Sequence, residues 1–339
     1  MTPATATHYA DVIIIGGGLS GLVAALDLQA QDKSVIVLEK GSSIGGRLTT
    51  RKVGAGLADD GAQFFTVRSA EFQHMVDQWI DEKLVYLWSM GWSDGSLAGV
   101  TDDGHPRYAA HGGMNTIARR MAQDIKDIRT NITVESVQAI GSEWVIKDSA
   151  GIQYSSKALV LTPPVPQSLE LLDAGEVRLT DADRQALERI QYAPCLTGLF
   201  LLEGNAPLPA PGAIQRRNAP ISWIANNKQK GISEDATVIT VQADDGYSAQ
   251  IWNDPDPRIL NALRTDLMVW LPEGYQILEE QLIRWRYSQP TVLHPDPCFK
   301  AAGLPSLVFA GDAFSQPRVE GAFLSGKAAA SVIAGTPAK

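Results

Sequence analysis

Gly16, Gly18 and Gly21 stand at G-x-G-x-x-G spacing directly after the apolar run Val12 to Ile15. Leu19 to Leu28 follows with apolar residues at helical spacing, so the stretch predicts strand, tight turn and helix. In such a unit the first glycine makes the turn, the second lets backbone approach a pyrophosphate, and the third lets helix and strand pack closely. Phosphate oxygens then sit on a helix N-terminus, where unpaired N–H groups and the helix dipole favour anions. Val35 to Leu38 is a second β-branched run, and it ends on Glu39, where a carboxylate can accept both hydroxyls of an adenosine ribose. That charge repels a 2′-phosphate, which disfavours NADP in the slot. A glycine turn by itself is common. Strand, helix, second strand and acidic end together predict a bound dinucleotide, and leave open which one.

Gly41 to Arg51, GSSIGGRLTTR, follows the second strand. An arginine beside a pyrophosphate pairs with its oxygens, and a glycine lets the backbone close over the ligand, so Gly46 and Arg47 are assigned to the cofactor. A flexible loop with one solvated arginine is the plainer alternative; the position just after Glu39 decides against it.

Elements able to hold these residues are within reach of 339 residues that are 45% hydrophobic, enough for two joined domains. A formal charge of −9 argues against a nucleic-acid surface. Cys195 and Cys298 are the only cysteines and no C-x-x-C occurs, which predicts two free thiols in a reducing compartment. Met1 to Tyr9 reads as a short polar arm with no signal-peptide core, and no apolar run is long enough to span a membrane, so a cytoplasmic protein is expected. No metal site is expected.

Further along, Asp59 to Phe65, DDGAQFF, is a turn ending in aromatics, and Glu71 to Lys83 has helical spacing. Leu84 to Val100 predicts short strands or a lid. His111 to Met121 is a glycine pair leading into a helix, read either as a core helix or as backbone contact with a ring system. Asn131 to Ile140, Glu143 to Asp148 and Gln153 to Leu161 predict a meander of strands closed by Thr162 and Pro163. Val134 is equally an adenine contact or an ordinary strand residue. Strands are expected at Leu196 to Leu202 and Thr237 to Val241, and an amphipathic helix at Ile259 to Trp270. Trp223 and Trp285 read more readily as core than as cage. Leu307 to Ala310 is a last strand, with Gly311 and Asp312 placed where it would return to the first, and Val319 to Ile333 predicts a closing helix. No second G-x-G-x-x-G occurs, so no separate nicotinamide domain is expected.

A Rossmann start with Glu39, then Gly45-Gly46-Arg47, then Gly311-Asp312 and a helix, resembles the FAD-containing amine oxidase superfamily. Within it the chain most resembles the renalases and their bacterial relatives, through DDGAQFFTVR, HGGMNTIA, SWIANNK, RWRYSQP and GDAFSQPRVEGAFLSG, collinear over nearly the whole length. The resemblance implies an α/β protein: a Rossmann-like FAD-binding domain of 1–66, 101–164 and 301–339, and a discontinuous, mixed-sheet α+β substrate domain of 67–100 and 165–300.

It also implies non-covalent FAD held by both chain ends. Leu19, Ser20, Lys40, Val134 and Thr162 join the glycines and Glu39 around the nucleotide. Gln63, Phe64 and Phe65 join Arg47, and Asp312 takes the ribityl chain. The helix start at Val319, Glu320, Gly321 and Ala322 points at the N1/C2 edge of the flavin, where hydride arrival at N5 leaves negative charge. Renalases oxidise dihydronicotinamide dinucleotides reduced at the wrong ring carbon, returning NAD(P)+ and passing electrons to O2 as hydrogen peroxide. Their pocket asparagine matches Asn227 and their pocket histidine matches Gln242, a departure that leaves the substrate isomer open; Trp285 and Arg286 are in place. Oxidation of an amine, desaturation of another small substrate, or a flavin bound without catalysis are the competing expectations.

Overall fold

The structure is a computed structural model and describes residues 8–96, 99–271 and 273–335. The polar arm expected at Met1 to Tyr9 lies outside these except for its last two residues. The described chain forms two compact units.

One unit comprises residues 8–46, Ala118–Gln191 and residues 290–335. Its centre is the strand His8–Ile15, flanked in parallel by Val35–Leu38 and Gln153–Leu161. Among the described residues the sheet order is Phe299–Lys300, Ser306–Phe309, Gln153–Leu161, His8–Ile15, Val35–Leu38, Ile128–Arg129. The continuous apolar runs are those of a parallel sheet covered on both faces: Ile13, Ile14, Leu159, Val160, Leu307 and Val308 are all buried. The hairpin Val134–Ile140 with Glu143–Asp148 joins antiparallel to Gln153–Leu161, as the expected meander requires. The expected last strand differs in place: Ser306–Phe309 pairs with Gln153–Leu161, not with His8–Ile15. The edge of His8–Ile15 on that side is already occupied, with Ile14 opposite Val160. The helices Leu19–Gln29 and Arg318–Ala334 lie against each other, so close that a Cβ on Gly326 would sit 2.4 Å from the Ser20 carbonyl oxygen.

The other unit comprises Arg47–Ile117 and Tyr192–Gln289. Among the described residues its seven-stranded sheet runs Ile277–Val292, Gln191–Leu202, Thr237–Ala243, Ile221–Asn226, Ala213–Gln215, Val85–Ser93, Val100–Ala110. Side chains alternate between its faces. Phe200, Ile224, Ile239 and Val241 pack with Ile259, Leu263 and Leu267 of the helix Asp256–Met268. Leu199, Val238 and Ile283 take the opposite face with Val53 and Ala58. Leu84 to Val100 carries one long strand and the start of another, Val85–Ser93 and Val100–Ala110, paired antiparallel. The helix at 71–83 is found at Ala70–Asp81, capped by the Ser69 side chain on the Phe72 N–H and stopped where Lys83 turns left-handed at φ 55. The hairpin Thr50–Val53 with Gly56–Asp59 had no signal in the sequence reading. It belongs to this unit because Leu57 N–H and Asp59 N–H donate to Ser233 Oγ and Asn227 Oδ1. The units change over after Gly46, Ile117, Gln191 and Gln289, whereas the expected domains change over at 66, 100, 164 and 300.

Candidate active site

In the first unit, the turn after His8–Ile15 is set by two glycines that no other residue replaces without strain. Gly16 has φ 102, and a Cβ on Gly21 would lie 2.1 Å from the Gly16 carbonyl oxygen. A Cβ on Gly18 would meet nothing within 4 Å, so the turn opens onto free space at the residue that a pyrophosphate would approach. Thr162 braces the turn, its hydroxyl donating to the carbonyls of Ile15 at 2.9 Å and Gly16 at 3.0 Å.

The Glu39 carboxylate is buried and aimed by the main chain: Oε2 accepts from Gly17 N–H at 2.8 Å and Oε1 from Gly41 N–H at 2.6 Å. Each oxygen keeps a lone pair, and no cation that could take a 2′-phosphate bonds to it in these contacts. Lys40 is exposed beside it. Val134 starts a strand whose preceding loop runs along Glu39 and Gly41, through the bonds Ile132 N–H to Glu39 O and Asn131 N–H to Gly41 O, each 2.9 Å. Gly46 packs near Gly18, and Gly45 bridges to it. Open space at Gly18, the paired carboxylate and the glycine bridge fit the ADP half of a dinucleotide.

The far end of the same sheet brings in the closing helix. Leu19 and Ser20 are buried, and Ser20 Oγ donates to Ala322 O at 2.7 Å, while Gly311 N–H donates to Ser325 Oγ at 2.8 Å. Asp312, Val319 and Glu320 are buried. Pro317, the N-cap, has no oxygen side chain to offer, and a Cβ on Gly321 would lie 1.7 Å from Gln316 O. Ser315 and Arg318 both hold left-handed backbone, at φ 63 and 74, a local cost of about 1–3 kcal/mol each that surrounding contacts must offset.

In the second unit the turn from Asp59 to Gln63 is the organising piece. Its carbonyls take two of the candidate side chains: Trp285 Nε1 donates to Asp60 O at 2.9 Å, and Gln242 Nε2 donates to Gly61 O at 2.9 Å. Gln242 lies opposite Thr197 and Trp223 in the ladder, so Trp223 shares its face. Phe64 joins this aromatic wall, with ring centres 5.0 Å from Trp92 and 5.4 Å from Trp223. The Phe65 ring goes into the core against Phe72, Trp79 and Tyr108. Gln63 Nε2 donates to Asp59 O, and Gln63 Oε1 and Asp60 Oδ1 are among the buried oxygens that have no partner among the described residues.

Asn227 and Arg286 stand apart from that pair. Asn227 is fully buried and saturated: Nδ2 donates to Val238 O at 3.0 Å and Thr240 Oγ1 at 2.9 Å, and Oδ1 accepts from Asp59 N–H at 3.2 Å. It has no N–H left for a ligand. Arg286 follows Trp285 in the strand, points to the opposite face and stacks over Trp252, 5.9 Å from its ring centre. Arg47 Nη1 donates to the carbonyls of Tyr287 at 3.2 Å and Ser288 at 3.0 Å.

Sequence reasoning passed over Lys230. It is wholly buried, its Nζ 2.6 Å from Asp59 Oδ2 and 2.5 Å from Gln63 O, with the Trp88 ring centre 4.7 Å away. Burial pulls its pKa below the usual lysine value and Asp59 opposes that pull. Tyr86, whose hydroxyl donates to Lys230 O, is pushed above the ordinary tyrosine value by burial and then by Asp59. Nothing in the local pattern of NNKQKG marks one lysine as interior.

A covered parallel sheet with a glycine turn and acidic strand end is the architecture of a dinucleotide-binding fold. Residues 14–79 match the NAD(P)-binding Rossmann-like domain, and residues 83–334 match flavin containing amine oxidoreductase. The chain belongs to the flavin-containing amine oxidoreductase family, and a flavin is its implied cofactor. "Possible lysine-specific histone demethylase 1" of Drosophila melanogaster is 41% identical over 66 residues, which span 20% of this chain and 7% of that protein. Two solved structures share the fold. A nominal protoporphyrinogen oxidase from Exiguobacterium sp. 255-15 has a TM-score of 0.72 at 13% identity, with 98% of this chain and 99% of that one covered. Cyclohexylamine oxidase from Brevibacterium oxydans IH-35A has a TM-score of 0.70 at 15% identity, with 96% and 99% covered. Among the described residues no helix is long and apolar enough to cross a membrane.

Proposed function

We propose that the chain is a renalase-like oxidase of the cytoplasm that holds FAD without a covalent bond and oxidises 2- or 6-dihydro isomers of NAD(P). The observation that supports this is the turn from Asp59 to Gln63, which sets an indole, Trp285, and an amide, Gln242, on neighbouring carbonyls of one sheet face. A flat ring bearing a carboxamide matches such a surface, with stacking from the aromatic wall and Gln242 Oε1 placed to accept from the carboxamide, since Gln242 Nε2 is held by Asp60 O and Gly61 O.

Bound FAD would supply the hydride acceptor and pass the electrons to O2, released as hydrogen peroxide. Gly16, Gly18, Gly21, Glu39 and Thr162 would hold its nucleotide half, with Asp312 and the N-terminal turn of Arg318–Ala334 at the other end. That turn would offer N–H groups and a positive dipole end to negative charge developing on the flavin. No side-chain base is needed, because aromatisation of the dihydropyridine drives hydride loss. Asn227 acts at one remove, by holding Asp59 and Thr240.

Anaerobic mixing of the holoprotein with each dihydronicotinamide isomer is expected to bleach the flavin's visible absorbance. No bleaching by either isomer would end this reading. Oxidation of a small amine is the second reading, favoured by the family itself, and peroxide formation from a panel of amines tests it.

A further inference from the structure

A fully buried ion pair needs a reason. Desolvation offsets much of its attraction, and apolar residues of similar volume often replace such a pair without loss of stability. Lys230 and Asp59 are both without exposed side-chain surface, and the contacts of the ammonium supply the reason: it binds Asp59 Oδ2 at 2.6 Å and Gln63 O at 2.5 Å, the two ends of one turn. Asp59 Oδ1 takes the Thr50 hydroxyl at 2.6 Å and Met114 N–H at 2.8 Å, and Asp59 O takes Gln63 Nε2 at 2.7 Å and Thr240 Oγ1 at 2.9 Å. The middle of the turn offers Asp60 O to Trp285 and Gly61 O to Gln242.

We propose that Lys230 is a positioning residue: by clamping both ends of the turn from Asp59 to Gln63, it sets the direction of the two carbonyls that aim Trp285 and Gln242. A single ammonium suits this task because it has three donors and can bind a carboxylate and a carbonyl at once. An apolar side chain would fill the volume and leave Gln63 O without its bond to the ammonium, so that only the Asp59 end of the turn keeps its Thr50, Met114 and Thr240 contacts. The consequence for turnover rests on Trp285 and Gln242 facing substrate; the positional claim does not.

The test uses the full-length flavoprotein with nitrogen-15-labelled tryptophan, the Trp285 indole signal being assigned with Trp285→Phe. Lys230→Met strands the Asp59 carboxylate and is expected to lower the urea midpoint. The double variant Asp59→Asn/Lys230→Met removes both charges, keeps an amide oxygen for Thr50 and Met114, and is expected to recover most of the midpoint. In that double variant the Trp285 indole signal is expected to move from its wild-type position. The substrate concentration for half-maximal flavin reduction should rise about tenfold with flavin content unchanged, as loss of binding orientation requires. An unmoved Trp285 signal in the folded double variant overturns the proposal.

Should the double variant not fold, hydrogen exchange in the wild-type protein decides. The Trp285 indole N–H is expected to be protected to within about tenfold of Met114 N–H, because both report the same local opening. An indole exchanging at the rate of free tryptophan overturns the proposal. A wild-type flavin that neither dihydronicotinamide isomer reduces would remove the substrate reading and leave both indole measurements standing.

Discussion

Trp285 and Arg286, neighbours in the chain, stand on opposite faces of one strand: the indole donates to Asp60 O at 2.9 Å, while the guanidinium lies over Trp252. Their matching motif therefore splits into two roles. Trp285→Phe is expected to slow anaerobic flavin reduction about fivefold, the kinetic equivalent of one lost hydrogen bond of about 1 kcal/mol. Arg286→Ala should leave the rate within about twofold, since a single exposed cation–π contact contributes about 0.5–1 kcal/mol to the fold and nothing to the reacting face. Stopped-flow absorbance on both variants checks this, and equal losses would return Arg286 to the site.

The glycine turn separates folding from binding. Gly21→Ala places a methyl group 2.1 Å from the Gly16 carbonyl oxygen, and overpacking of this kind costs about 1–3 kcal/mol, read as a lowered urea midpoint. A Cβ at Gly18 meets no protein atom within 4 Å, so Gly18→Val should leave the apoprotein's midpoint nearly in place while stripping the flavin. Flavin retained in full by Gly18→Val would refute the pyrophosphate assignment.

Asn227→Ala should behave first as a stability variant. It removes two donated hydrogen bonds and one accepted bond from a side chain with no exposed surface, taking that bond from Asp59 N–H, while Val238 O keeps the bond from Asn227 N–H. A fall of about 2–4 kcal/mol by urea unfolding is expected. A slowed reduction with undiminished stability would point instead to direct substrate contact.

Cys195 carries a pH signature. Burial raises its thiol from 9.0 to about 11, so below pH 9 both folded and unfolded forms hold the proton. As the pH rises from 9 towards 11 the unfolded chain ionises first, and the folded state loses stability through that window. Cys298, raised to about 11 by burial, adds the same sign. Urea midpoints from pH 8 to pH 11 should fall less steeply in Cys195→Ser/Cys298→Ser than in the wild type, and an identical slope would remove the thiols as its source.

How far the chain could be read without its coordinates follows the range of the forces involved. Strand, turn, helix and second strand from Val12 to Glu39 were legible because each rests on spacing within a few residues: backbone geometry makes the period, and only glycine meets the Gly16 and Gly21 positions. The meander, the helix at 70–81 and the closing helix were legible for the same reason.

What lay beyond local pattern had to be decided by packing. Lys230 and Asp59, separated by 171 residues, carry no mutual signal until the second unit closes and removes both from water. Whether Asn227 meets a ligand or its own neighbours depends on the strands that bury it. The face taken by Trp285 and denied to Arg286 depends on the register of the strand Ile277–Val292 in its sheet. Residue type and spacing alone marked a glycine turn, helix and acidic strand end that could take a dinucleotide, and the resemblance across the chain pointed to a flavin. Long-range burial decided which polar groups are spent inside the fold, because a polar group taken out of water must be paired by whatever group the packing brings beside it.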